Sequence, residues 1–165
     1  MNTESLRVIP AAWNEVTREI IAAAIEVHSV LGPGLLERLY EDAFAYELVE
    51  RGLRLERQRP IRLRYRAIDI GDLRIDLVVE SLVVIELKAI ERVLDVHRAQ
   101  LLSYLRSADL PLGLLINFNE ARVRDGMARI VNPHAAAMRQ LPSLAAPGTP
   151  AQIRLRFSED ANGCI

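Results

Sequence analysis

Two Val/Ile/Leu-rich runs, Leu73 to Val79 and Leu82 to Lys88, flank the turn-forming pair Glu80-Ser81. They are expected as two strands joined by a tight turn, which commits the middle of the chain to a hairpin within a sheet. Three charges interrupt them: Asp76 in the first run, Glu86 and Lys88 in the second. Strand side chains alternate, so Glu86 and Lys88 share a face. Opposed residues of an antiparallel pair point the same way. A three-residue connection, Glu80-Ser81-Leu82, opposes Asp76 to Glu86 and gathers all three charges on one face. A strict two-residue turn opposes Asp76 to Ile85 and sends Glu86 to the other face. A site at this place therefore requires the longer loop or a bulge.

The flanking sequence completes an α/β pattern. Trp13, Val16, Ile20, Ala24, Val27 and Leu31 recur at helical spacing, and Gly32-Pro33-Gly34 stops the helix. A second helix is predicted from about Leu35 to Glu50, closed by Gly52. Ile61, Leu63 and Tyr65 alternate with Arg62, Arg64 and Arg66 as a half-buried strand. Asp95 is expected to N-cap a third helix reaching Ser107. Leu112 to Phe118 suits a buried strand, with another short one at Arg129 to Val131. This order argues for a single mixed sheet flanked by helices, with two helices ahead of it. From about Asn132 the texture turns to alanine, proline and small residues. Residues 1–132 are read as the domain and 133–165 as an appendage, with an edge strand at Ile153 to Phe157.

Composition narrows the function classes. The net charge of −1 leaves no strongly basic overall field, so a nucleic-acid contact needs a local patch. The one cysteine, Cys164, rules out an intrachain disulfide framework and fits a reducing, cytoplasmic setting. Neither a signal-peptide pattern nor a membrane-length apolar run is expected. Seven arginines fall between Arg51 and Arg66. Arg62, Arg64 and Arg66 are expected to point one way and could track phosphates, or form a solvated face offset by Glu50 and Glu56.

Lys88 is the only lysine; the other twenty basic residues are arginine. An ammonium is a compact charge with a shiftable pKa, which a guanidinium cannot imitate. Asp76, Glu86 and the Leu87 carbonyl together offer hard oxygen ligands for Mg²⁺ or Mn²⁺. The alternative is an edge strand carrying charges that guard against aggregation. Glu37 lies on one helical stripe with Tyr40, Phe44 and Leu48, aimed at the apolar face, where a metal or an arginine would offset its burial. It is equally an ordinary helix N-terminal acid. His97, Gln100 and Tyr104 form a polar stripe on the third helix. Gln100 and Tyr104 can hold a phosphate or a metal-bound water, or simply mark a boundary face. His28 is expected to cap or pack, and His97 has no partner at zinc-ligand spacing.

Asp76, Glu86-Leu87-Lys88 and the Gln100-Leu101-Leu102-Ser103-Tyr104 helix, preceded by a helical glutamate, resemble the PD-(D/E)xK nuclease superfamily. The Gln-x-x-x-Tyr element is similar to its RecB-like branch. Gly34-Leu35-Leu36-Glu37-Arg38-Leu39-Tyr40 resembles the name motif of the GxxExxY family of small proteins, and the surrounding Glu26-Val27-His28 and Gly113 to Phe118 are similar to other parts of that family. The resemblance spans about Ile20 to Asn132, with Ile75 standing where the superfamily pattern has proline. It implies a restriction-endonuclease-like core and Mg²⁺- or Mn²⁺-dependent hydrolysis of nucleic acid, DNA rather than RNA. Asp76, Glu86, the Leu87 carbonyl and Glu37 would hold the metal, and Lys88 would act with Asp76 and Glu86 in catalysis. Gln100, Tyr104 and Tyr40 are expected to position substrate. A non-cleaving binding module on the same fold is the alternative, and a homo-oligomer is a further option.

Overall fold

The computed structural model describes residues 8–141. Helices α1 (Ala11–Leu31) and α2 (Glu37–Glu50) precede strands β1 (Leu55–Tyr65), β2 (Ile68–Val79) and β3 (Val83–Lys88). Helix α3 (Asp95–Ala108), β4 (Leu112–Asn117), a 3-10 turn (Val123–Gly126), β5 (Met127–Val131) and the short α4 (Ala136–Arg139) follow. The strands form one sheet in chain order, antiparallel except where α3 carries the chain over to make β3 and β4 parallel. Among the described residues no helix is long and apolar enough to cross a membrane.

The sheet is covered on both faces. Ile20, Ala24, Tyr40, Phe44 and Leu48 of α1 and α2 pack with Leu77, Val79, Val83, Ile85 and Leu87. Leu101, Tyr104 and Leu105 of α3 pack with Val78, Val84 and Leu115 on the other face. Double coverage explains why β3 and β4 read as unbroken apolar runs rather than alternating ones. A Cβ at Gly113 would stand 3.0 Å from Leu101 and Leu105, so the bare backbone there lets α3 lie close on β4.

Local signals set most boundaries. Gly52 ends α2, with the Leu53 amide donating to the Leu48 carbonyl at 3.0 Å and its own amide to Val49. Helix α2 begins at Glu37 rather than Leu35, because Leu36 is extended (φ −67°, ψ 141°). Asp95 is the first residue of α3 rather than its cap. The cap position is Leu94, whose amide donates to His97 Nδ1 at 3.0 Å, so His97 satisfies an amide that the helix leaves open. His28 Nε2 lies 2.8 Å from the Glu120 carbonyl, a packing role.

Three expectations need correction or extension. Strands β1 and β2 are longer than the alternating core of each, and continue as a paired ribbon to Tyr65↔Ile68. Pro60 is accommodated because β1 is an edge strand. The arginine stripe is not regular: the register shifts between Leu63 and Arg64, and Arg66 lies in the connecting turn at φ 54°. Past Asn132, Ala135 and Met138 are buried, so packing continues into α4. The strand expected at Ile153 to Phe157 lies outside the described residues.

Candidate active site

The hairpin connection decides the site. Val79 pairs with Val83, Val78 with Val84 and Leu77 with Ile85, leaving Glu80-Ser81-Leu82 as the loop. Glu80 and Ser81 both adopt left-handed backbone (φ 53° and 50°), and the Leu82 amide closes the turn on the Val79 carbonyl at 3.0 Å. Continued by one residue, this register sets Asp76 opposite Glu86. The backbone ladder stops there. Asp76 Oδ2 accepts the Leu87 amide at 2.8 Å, in place of a strand carbonyl. A strand residue's N–H and C=O leave by the same edge, so the Leu87 carbonyl also faces the gap beside Asp76.

Strand β2 turns at this residue. Ile75 packs with the α3-side cluster and Leu77 with the α1/α2-side cluster, although alternation would put both on one face. Across the ribbon, Gln58 falls between the pairs Arg57↔Leu77 and Arg59↔Ile75 and adopts φ 50°. Its Nε2 donates to Glu41 Oε2 at 2.8 Å, while Arg57 Nε donates to Glu41 Oε1 at 3.1 Å. Buried Glu41 thus holds β1 at the point where β2 swings Asp76 out of the ladder. Sequence reading missed Glu41, Arg57 and Gln58. The available signal was Glu41 one helical turn after Glu37.

Glu86 is 3 % exposed. Its Oε1 accepts Lys88 Nζ at 2.5 Å, and its Oε2 is buried with no hydrogen-bond partner. Burial, then the Asp76 charge, push Glu86 up to about 7, with Lys88 pulling the other way. Burial also raises Asp76, against the Leu87 amide and Lys88. For Lys88 burial favours the neutral amine, but the Glu86 hydrogen bond and the carboxylates around it outweigh that and raise its pKa. All three groups are pushed toward their protonated forms. For the two carboxylates burial is the main cause and neighbouring negative charge adds to it, whereas for Lys88 the neighbouring carboxylates outweigh burial.

The other expected residues fall in different places. Glu37 is exposed rather than on the buried stripe, because it opens α2 beyond the end of the core; its charge still acts on Asp76, Glu86 and Lys88. Gln100 Nε2 donates to the Tyr104 hydroxyl at 2.6 Å, on the sheet face that Glu86 shares with Val84. Tyr40 is fully buried and stacked on Phe118 with ring centroids 4.7 Å apart. Its hydroxyl donates to the Gly32 carbonyl at 2.6 Å and accepts the Leu35 amide at 3.1 Å. Tyr40 therefore ties down the loop that delivers Glu37, with its hydroxyl committed to backbone groups.

The Gly-x-x-Glu-x-x-Tyr spacing has a physical reading. Gly34 supplies the turn at φ 99°, Glu37 opens the helix, and Tyr40 reaches back to pin the turn. Tyr40→Phe strands the Gly32 carbonyl and the Leu35 amide. It is expected to cost about 1 to 3 kcal/mol in a thermal or denaturant melt. Asn117 was another residue without an expected role. It lies opposite Lys88 in the parallel register, and its amide exchanges hydrogen bonds with the Ile90 backbone at 3.1 and 2.8 Å, fixing the chain just after Lys88. Its polarity inside an apolar run was the signal.

The donor set suits a hard divalent cation. Asp76 and Glu86 act on each other electrostatically, one Glu86 oxygen is buried without a partner, and the Leu87 carbonyl leaves by the same edge as the amide that Asp76 accepts. Among the described residues no three His, Cys, Asp or Glu side chains converge as a complete cage. Water or substrate oxygens would have to fill the remaining positions, as is usual for Mg²⁺.

A mixed sheet flanked by helices, with two helices ahead of it, is a restriction-endonuclease-like fold, and its splayed strand pair presents two carboxylates and a lysine. A family model, that of the PD-(D/E)XK nuclease superfamily, matches residues 14–130, and the chain belongs to this superfamily. Nucleases of the superfamily generally use divalent metal ions. Comparison with curated proteins and with solved structures returned no match.

Proposed function

We propose that the protein is a Mg²⁺- or Mn²⁺-dependent nuclease of the cytoplasm that hydrolyses phosphodiester bonds of DNA. The carrying observation is the unpartnered, buried Glu86 Oε2 beside Asp76, with Lys88 against the other oxygen. Asp76, Glu86 and the Leu87 carbonyl would hold the cation, with Glu37 reaching it directly or through water. When bound, the cation supplies Lewis-acid stabilisation of the scissile phosphate. Lys88 keeps its ammonium protonated and offers a compact donor to the attacking water or to charge building on the phosphate. Gln100 and Tyr104 orient the substrate strand. The resemblance of Gly34 to Tyr40 to the GxxExxY name motif, and of Gln100 to Tyr104 to the RecB-like element, supports a finer kinship with those two groups.

Calorimetric titration of Mg²⁺ and Mn²⁺ tests the reading. Binding is expected for the wild type and is lost in Asp76→Ala and Glu86→Ala. The incomplete ligand cage and the net charge of −1 favour a second reading, a non-cleaving binding module. That reading expects no cation binding dependent on these two carboxylates.

A further inference from the structure

Strand β2 pairs with β3 only from Leu77 to Val79. From Asp76 back to Ile68 its sole described strand partner is β1, so the two strands leave the sheet as a ribbon. The base of the ribbon is anchored: Ile61 and Ile75 pack with the α3-side core, and Leu73 lies against it. The outer part is exposed, with Tyr65, Ile68 and Ile70 each more than half accessible at its tip.

The charge on this ribbon is opposite to that of the rest of the chain. Between Arg59 and Arg74 it carries five arginines (Arg59, Arg62, Arg64, Arg66, Arg74) against two aspartates (Asp69, Asp72), in a protein of net charge −1. Arg62 meets the aspartates only at 3.7 and 3.8 Å, in exposed pairs that exchange readily. Arg64 pairs with Asp69 at 3.1 Å. Arg66 and Arg74 have no carboxylate within ion-pair distance among the described residues, and Arg66 lies over the Tyr65 ring at 5.4 Å.

We propose that this arm is a grip for duplex nucleic acid, with arginines on the phosphates and the Tyr65/Ile68/Ile70 tip entering a groove. A two-stranded ribbon fits the major groove, and apolar tips flanked by arginine are a recurrent groove-entering device. The arm leaves β2 at Asp76 itself. Strand rise therefore puts its tip about 25 Å from the carboxylates, or about seven base pairs along a duplex. The inference rests on the nuclease reading and adds to it a handle that keeps the substrate in place.

The test is fluorescence anisotropy of a labelled duplex of about 20 base pairs with the full chain, in chelator so that nothing is cut, across a salt series. Arg66→Gln with Arg74→Gln is expected to weaken binding about tenfold and to reduce the salt slope by about 2. Tyr65→Ser with Ile68→Ser is expected to weaken it with the slope unchanged. If the wild type binds and both arm variants bind equally well, the arm proposal is wrong and the nuclease reading stands. If the wild type does not bind the duplex, the arm proposal is overturned, and the nuclease reading is judged separately by cation-dependent cleavage of single- and double-stranded substrates. If light scattering shows the tip variant changing oligomeric state while affinity is unchanged, the arm is a contact between copies and the proposal is overturned.

Discussion

Lys88→Arg is expected to leave the fold intact and to lower cleavage by about 100-fold or more, the scale on which removal of one preorganised electrostatic donor is felt. The substitution keeps the charge and changes its shape. The ammonium fits within 2.5 Å of Glu86 Oε1, in a place where only 15 % of the lysine side chain is exposed. A guanidinium is broader, stays protonated and prefers a bidentate fork to a carboxylate. It would occupy both Glu86 oxygens, including the one left without a partner, and so compete with the cation. The expected signature is a cooperative melt like that of the wild type, with weakened Mg²⁺ binding and lost turnover. Wild-type turnover in this variant would show that Lys88 is only a counter-charge.

Asp76→Asn is expected to stabilise the metal-free protein at neutral pH while abolishing its response to metal. Glu86 titrates near 7 in the folded protein, against an ordinary 4.5. Below about pH 4.5 it is protonated in both folded and unfolded chains and costs nothing. Between that value and 7 the unfolded chain releases the proton first, so the metal-free fold loses stability as pH rises. A shift of this size corresponds to a loss on the order of 3 kcal/mol. After burial, the Asp76 charge is the largest cause of that shift. Asparagine removes the charge and can still accept the Leu87 amide. A gain of about 1 to 2 kcal/mol, or a few degrees in Tm, is expected in chelator near pH 7.5. Saturating Mg²⁺ should raise the wild-type Tm, with about 2.7 kcal/mol at one hundred times Kd, and leave the variant unmoved. A variant that melts lower than wild type in chelator would mean that Asp76 is a structural strut rather than a strained ligand.

The parts of the site that were legible in the sequence are those governed by short-range periodicity. Alternation along β3 put Glu86 and Lys88 on one face, and three charges in apolar runs required the three-residue loop that the Val79↔Val83 pairing contains. What was not legible depends on departures from periodicity or on distant partners. The bulge at Leu63/Arg64 and the left-handed Arg66 break the alternation from which the arginine stripe was read. Helical spacing put Tyr40 on the core face correctly, but not its hydroxyl turned back on Gly32. The same spacing misplaced Glu37, because a helix's first residue can project past the core its stripe would otherwise enter. Glu41 drew no attention because its role depends on Arg57 and Gln58, which approach only when β1 folds over α2.

The most direct test of the central claim is a cleavage panel of single- and double-stranded DNA and RNA in Mg²⁺ and in Mn²⁺, with Glu86→Ala as the control. Cation-dependent hydrolysis by the wild type, favouring DNA, is expected, with none by Glu86→Ala. Cleavage that survives Glu86→Ala, or a wild type that binds cation and nucleic acid yet cuts nothing across the panel, would contradict the nuclease reading.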